Sequence, residues 1–164
     1  MQDILPDLCD EYPDQVNVFS PIFQHYGGVT HFSGELVTVK CFEDNSMVKQ
    51  LLATPGHGRV LVVDGGGSVR RALLGDMIAT EAVAQGWAGI VIYGAVRDVV
   101  TLATLPLGVC ALAACPIKTA KLGQGEIGVP IVIDGINVLP GMHIYADPNG
   151  VLIAKGALDT KDFN

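Results

Sequence analysis

Apolar residues in this chain fall into short runs with two different rhythms. From Phe32 the order Phe32, Gly34, Leu36, Val37, Val39, Cys41 alternates with polar positions, which predicts a strand with one solvated face. Val60 to Val63 and Trp87 to Tyr93 are instead continuous apolar runs of strand length, as expected of strands covered on both faces, and Gly94 marks the end of the second. Between them Met77, Ile78, Ala82 and Val83 recur at helical spacing, with Gly86 placed as a carboxyl-terminal cap. Strand, helix and strand in this order predict a βαβ unit. Ahead of it, Ser46 is expected to cap a short helix over residues 47–52 that Pro55-Gly56 ends.

The flanks read differently. The segment up to about Tyr26 mixes helical and extended signals and carries Pro6, Pro13 and Pro21, as a wrapping segment does. In the second half, runs at Val109 to Leu112, Val129 to Ile133, Ile136 to Leu139, His143 to Ala146 and Val151 to Ala154 are separated by turn signals. Asp134-Gly135 predicts a two-residue hairpin turn, and Asp147-Pro148-Asn149-Gly150 another. These strands are expected to form an antiparallel layer packed on the first sheet or its helices. No internal repeat or low-complexity linker interrupts the chain, so a single domain over residues 1–164 is expected.

Composition narrows the functions open to it. Hydrophobic residues make up 49% and charged residues 16%, and the mean hydropathy is +0.41, so part of the apolar surface is expected to be buried between subunits. The apolar runs are too short and too interrupted to cross a membrane as helices. The amino terminus, MQDILPDLCD, has neither a basic region nor an apolar signal core, and a cytoplasmic location is expected. A net charge of −7 leaves no lysine and arginine stripe for a nucleic-acid backbone, so no direct nucleic-acid partner is expected. Cys9, Cys41, Cys110 and Cys115 lack CxxC spacing and are expected to be reduced, mostly buried thiols.

Chemistry-bearing residues gather in the stretch from Arg59 to Asp98. Gly65-Gly66-Gly67 opens a glycine-rich loop that leads to Gly75-Asp76 at a helix start, where unpaired backbone N–H groups and the helix dipole stabilise an anion. The loop matches neither the Walker A spacing nor GxGxxG, and an ordinary tight turn before a capped helix explains it equally well. Arg97 and Asp98 follow the next strand. An arginine fork binds a carboxylate and an aspartate offers a hard oxygen to Mg²⁺ or Mn²⁺, whereas an isolated pair of this kind is ordinarily a surface salt bridge. Parallel strands would put both clusters on one sheet edge. Arg70 and Arg71 would either add positive potential there or pair with acids. The four histidines have no ligand spacing, Glu126, Asp134 and Asp147 read as loop formers, and neither a GxSxG elbow, a Cys-His arrangement nor a desolvated Schiff-base lysine is indicated.

Over nearly its whole length the chain resembles the RraA-like family. The blocks VNVFSPIFQHYGG, GELVTVKCFEDN, RVLVVDGGGSVRRALLGD, GIVIYGAVRD and HIYADPNGVLIA carry the resemblance in order. The family includes regulators of ribonuclease E activity and metal-dependent aldolases acting on 4-hydroxy-4-methyl-2-oxoglutarate. Some members bear a menaquinone methyltransferase label, for which this sequence offers no nucleoside-binding GxGxG loop. The aldolases of the family are distinguished by an Asp, twenty intervening residues and Arg-Asp; Asp76, residues 77–96 and Arg97-Asp98 complete that pattern. Members that act only as regulators differ at the last position.

The resemblance implies a layered α/β/β sandwich similar to the swivelling phosphohistidine domains. It also implies a homotrimer with sites near subunit boundaries, and a class II retro-aldol reaction with oxaloacetate decarboxylation through the same pyruvate enolate. In that reading Asp98 holds a divalent cation, Mg²⁺ or Mn²⁺, and Arg97 and the backbone amides of Gly75, Asp76, Met77 and Ile78 bind the 2-keto acid. Arg97 stabilises the developing charge, and Asp76 orients groups near the base. The alternative is direct protein–protein inhibition of ribonuclease E without catalysis.

Overall fold

In the computed structural model, which describes residues 2–161 and 163, the chain opens with helix α1 (Ile4–Glu11) and two short strands, β1 (Val16–Val18) and β2 (Gln24–His25). Strand β3 (Phe32–Lys40), helix α2 (Ser46–Leu52), strand β4 (Val60–Asp64), strand β5 (Ala72–Leu74) and helix α3 (Asp76–Ala84) follow. Next come β6 (Gly89–Val96), the one-turn helix α4 (Val99–Leu102) and β7 (Gly108–Ala114). The remainder is all strand: β8 (Glu126–Ile127), β9 (Ile131–Ile133), β10 (Ile136–Val138), β11 (His143–Asp147) and β12 (Gly150–Ala154). No helix among the described residues is long and apolar enough to cross a membrane.

Strands β3, β4, β6 and β7 form a parallel sheet in that spatial order. Side chains on a strand alternate between faces, and here both faces are apolar. Leu61 and Val63 of β4 and Ile90 and Ile92 of β6 enter a core shared with α2 and α3, through Val48, Leu52, Ile78, Ala79 and Ala82. Their neighbours Val60, Val62 and Val91 enter a second core with Ile131, Ile133, Val138, Ile144 and Ile153 of the later strands. Helices, parallel sheet and antiparallel strands therefore stack as the expected α/β/β layers. Strand β3 links two of the layers: Phe32 to Glu35 pair antiparallel with β11, and Leu36 to Lys40 pair parallel with β4. The ring of Phe32 lies where β-carbons on Gly89 and Gly108 would come within 2.4 and 2.1 Å of it. Glycine at both positions is what admits the ring.

Several local expectations hold. Helix α3 ends in a Schellman motif, with Gly86 at φ +80°, Gly86 N–H donating to Val83 O and Trp87 N–H donating to Ala82 O. Asp134 (φ +54°) and Gly135 (φ +72°) make the two-residue turn between β9 and β10, both residues left-handed as a type I′ turn requires.

Others are corrected. Ser46 is the first residue of α2 rather than its cap; the buried Asp44 carboxylate accepts the Ser46 N–H at 2.9 Å instead. Strand β6 starts at Gly89 rather than Trp87, and it does not end at Gly94. Between Ile92 and Ala95 its register against β7 slips by one residue, so Tyr93 and Gly94 oppose Leu112 alone, and the strand continues to Val96. Gly94 marks a bulge rather than a terminus. The run Val109 to Leu112 belongs to β7 and pairs parallel with β6, not within the antiparallel layer. Glu126 lies in β8, which pairs with β3. Asp147 is more than a loop former: at 1% exposure it caps α1, accepting the Ile4 and Leu5 N–H groups at 2.9 and 3.0 Å.

Candidate active site

The short strand β5, which the glycine-rich sequence around it concealed, brings the two sequence clusters together. It pairs parallel with the end of β6, Leu74 beside Val96, so both strands finish at the same edge. Gly75-Asp76 leaves one and Arg97-Asp98 leaves the other. Arg97 N–H donates to Leu74 O at 2.9 Å, fastening the two exits to each other.

Across that junction Asp98 Oδ2 accepts the Asp76 N–H at 2.9 Å. Asp98 holds a left-handed backbone, φ +58° and ψ +40°, which aims its carboxylate back at the start of α3. A β-carbon on Gly75 would lie 2.7 Å from Asp98 Oδ2 and 3.3 Å from Arg97 Nε, so glycine is required here for space, its φ of −134° being ordinary. Arg97 Nε stands 4.0 Å from Asp98 Oδ2, a loose contact between side chains 40% and 36% exposed. A pair that open is worth little as a salt bridge and leaves the guanidinium fork available to an anion. The first intrahelical bond of α3 runs from Ala79 N–H to Gly75 O. The Asp76 amide is thus spent on Asp98, and the Met77 and Ile78 amides remain as the helix-terminal donors.

These residues line an open pocket of about 80 Å³, together with Asn45, Ala72, Lys118, Thr119 and Lys121. Sequence reasoning missed the last three, because the segment KTAKLGQGE has no periodicity and nothing in it signals its neighbours. The glycine-rich loop itself does not line the pocket. Gly65 and Gly67 N–H groups both donate to Tyr93 O at the β6 bulge, and Gly66 and Gly67 have φ near +70°, so this loop is a structural turn. Arg70 is held away by Glu43 at 3.0 Å, and Arg71 donates to Lys118 O at 3.2 Å. Serine and arginine contacts together keep the Glu43 carboxyl below its ordinary range, the Ser68 hydroxyl contributing most.

Among the described residues no three His, Cys, Asp or Glu side chains converge as a metal cage. The acidic donors at the pocket are only two, Asp98 and the half-buried Asp76, beside solvent. That suits a hard ion that keeps most of its own water, as Mg²⁺ does. The fold does bring one cysteine to a histidine: Cys110 Sγ lies 3.5 Å from His25 Nδ1, and His25 Nε2 donates to Asp147 O at 2.8 Å. Burial pushes the Cys110 thiol up to about 12 and, with Asp44 and Asp64 adding to it, the Cys41 thiol likewise. Cys110 is sealed in the second core and is no nucleophile.

A parallel-stranded edge that combines a helix amino terminus, an arginine and a carboxylate has the donors to receive a small anion. Residues 5–153 match the model of the RraA-like (Aldolase/RraA) family, and the chain belongs to that family. A protein of Ectopseudomonas mendocina (strain ymp) named "Putative 4-hydroxy-4-methyl-2-oxoglutarate aldolase" is 55% identical over 158 residues, 96% of this chain and 98% of the relative. Two solved structures superpose with a TM-score of 0.93 at 43% identity: the RNA-processing inhibitor RraA from Thermus thermophilis, covering 99% of this chain and 98% of that one, and a protein of Geobacillus kaustophilus HTA426 named S-adenosylmethionine: 2-dimethylmenaquinone methyltransferase, covering 99% of each.

Proposed function

We propose that this protein is a divalent-metal-dependent aldolase that cleaves 4-hydroxy-4-methyl-2-oxoglutarate into two molecules of pyruvate and decarboxylates oxaloacetate as a side reaction. The observation that carries the reading is the Asp98 carboxylate turned onto the first amide of α3, with Arg97 beside it, at one pocket. The names borne by relatives at about 55% identity support it.

Asp98 would hold the cation, Mg²⁺ or Mn²⁺, which when bound supplies Lewis acidity toward the 2-keto acid. The Met77 and Ile78 amides and the Arg97 fork receive the pyruvoyl carboxylate and keto oxygen. Loss of the C4 hydroxyl proton to a base breaks the C3–C4 bond, and the electron pair passes to C3 to give a pyruvate enolate and a first pyruvate. Arg97 stabilises the enolate charge as it develops, and protonation at C3 gives the second pyruvate. Oxaloacetate reaches the same enolate by losing its C4 carboxylate as carbon dioxide. Asp76, half-buried at the first position of α3, orients the proton-accepting water. The Lys118 and Lys121 ammonium groups face the second carboxylate that both substrates carry.

At about 80 Å³ the pocket is small against the 300 Å³ or more of a typical ligand site. Met77, apolar and 82% exposed, lines it, and Val100, two residues beyond Asp98, is apolar and 83% exposed. A homotrimer whose neighbouring subunit covers this rim would complete the site. The test is pyruvate release from both acids with and without Mg²⁺ or Mn²⁺; an intact oligomer with no metal-dependent turnover would sink the enzyme reading.

A second reading follows from the Thermus protein, an RNA-processing inhibitor by name. An acidic chain of net charge −7 would bind a ribonuclease E-like enzyme as a protein partner rather than compete as an RNA binder. A pull-down showing no binding at micromolar concentration counts against it.

A further inference from the structure

The turn Glu43-Asp44-Asn45 fastens together the segments that frame the pocket. Asp44 is 2% exposed. Its Oδ1 accepts the Ser46 N–H at 2.9 Å and the Ser46 hydroxyl at 2.6 Å, and its Oδ2 accepts the Leu122 and Gln124 N–H groups at 2.9 and 3.2 Å. The Ser46 hydroxyl oxygen accepts the intervening Gly123 N–H at 3.0 Å. Three consecutive amides thus end on one buried carboxylate and its serine. Burial alone would raise the Asp44 carboxyl, yet the Ser46, Leu122 and Gln124 hydrogen bonds outweigh it and hold the group below its ordinary range, charged.

The adjoining residue extends the clamp. Asn45 Nδ2 donates to Leu73 O at 3.2 Å, and its Oδ1 accepts the Thr119 hydroxyl at 2.8 Å. On the other side, Glu43 sits at φ +54°, a conformation costly for a residue with a side chain, and is pinned by the Ser68 hydroxyl at 2.6 Å and Arg70 Nε at 3.0 Å. Nothing in regular secondary structure holds residues 119–125, and Asp44 is their main anchor. That segment brings Thr119 and Lys121 to the pocket, beside Lys118, which is held on its own by a β-bridge to Ala72.

We infer that Asp44 is a positioning residue for substrate selection: its carboxylate tethers residues 122–124 so that the Lys121 ammonium group stands over the pocket, beside the bridge-held Lys118, as the receptor for the second carboxylate of a dicarboxylic 2-keto acid. The substrate in this statement rests on the aldolase reading; the tether does not. A flexible four-carbon lysine stem on a loose segment has no fixed address, and fixing the backbone is the economical way to keep the charge where an anion arrives.

The test uses Asp44→Asn, which replaces two acceptor sites by an amide donor, and the milder Ser46→Ala, which removes the hydroxyl bridging Asp44 and Gly123. Both are compared with wild type in oxaloacetate turnover, in inhibition by pyruvate, which lacks the second carboxylate, and in trypsin cleavage after Lys118 and Lys121. The expected result is a five- to tenfold rise in KM for oxaloacetate, kcat and the pyruvate inhibition constant within twofold of wild type, and faster cleavage at Lys121. Unchanged cleavage in a folded variant overturns the tether whatever the activity. Faster cleavage with KM unchanged, or with kcat and pyruvate binding lost alongside it, overturns the positioning role. Wild-type protein that turns nothing over fails the aldolase reading on its own, and cleavage still decides the tether.

Discussion

Asp98 Oδ2 and the Asp76 backbone N–H lie 2.9 Å apart, so the residue that closes the Arg-Asp pair also caps the helix that starts twenty-two positions earlier. One carboxylate thereby fixes the distance between the helix-terminal amides and the arginine. Gly75 is the spacer that permits it. Gly75→Ala puts a β-carbon 2.7 Å from Asp98 Oδ2 and displaces the carboxylate, with no backbone strain of its own. A displacement approaching an ångström at reacting groups costs about 100-fold in rate. The expected outcome is that loss in kcat/KM with an unchanged far-ultraviolet circular dichroism spectrum; wild-type activity would mean that Asp98 need not sit where it does.

Arg97 contributes through its fork rather than its charge. Its contact with Asp98 is 4.0 Å and solvent-open, so Arg97→Lys should leave the melting temperature within about 2 °C, as for surface changes. The same substitution should lower kcat on the order of 100-fold, because a point charge cannot reproduce two parallel hydrogen bonds. Thermal melts and initial rates on one preparation separate the two effects.

Packing around Phe32 is a stability question independent of the chemistry. Gly108→Ala would place a β-carbon within 2.1 Å of the ring, against a sheet that cannot yield at that point. Overpacking of this kind costs about 1–3 kcal/mol, and urea denaturation should read a loss in that range or larger. A midpoint equal to wild type would show that the ring has room to move.

Acidification should weaken the fold in two stages. His143 is held below its ordinary value of 6.5, desolvation outweighing the opposing charge of Glu35. The unfolded chain then takes up a proton that the folded one resists, so stability falls as pH drops through 6.5. Asp44 is also held below its ordinary value, 3.8. Its contribution is complete above 3.8 and is lost as pH falls from there through its folded value. Chemical denaturation from pH 8 to pH 3 should show both declines. Glu43, also held below its ordinary value, shares the lower decline, so Asp44→Asn should shrink it rather than remove it, and a decline of unchanged size would assign it to other carboxylates.

What the sequence disclosed follows from how local each signal is. The strand, helix and strand of β4, α3 and β6 are legible because apolar spacing and Gly86 punctuate them within a few residues. The site is legible in Asp76, Arg97 and Asp98 because their spacing spans that one unit. Strand β5 is only three residues long and follows a glycine-rich turn, so no periodicity announces it, although it is what aligns Gly75 with Asp98. The β6 bulge was hidden because Gly94 signals a bulge and a strand end alike. Lys121 was invisible for a different reason: Leu122 and Gln124 meet their anchor Asp44 across 78 and 80 positions of sequence. The pairing of Cys110 with His25 is likewise a product of the fold, spanning 85 positions.

The account stands most directly on Asp98. Asp98→Asn keeps a side chain that tolerates the left-handed backbone at φ +58° and can still accept the Asp76 N–H, while removing the negative charge. The measurement is pyruvate release from oxaloacetate in wild type and Asp98→Asn, after chelation and then across a titration of Mg²⁺. The account predicts wild-type turnover that vanishes on chelation and returns with added Mg²⁺, and a folded variant with no metal-dependent turnover at any concentration. Equal wild-type turnover with and without metal, or a variant that follows the wild-type titration, would contradict it.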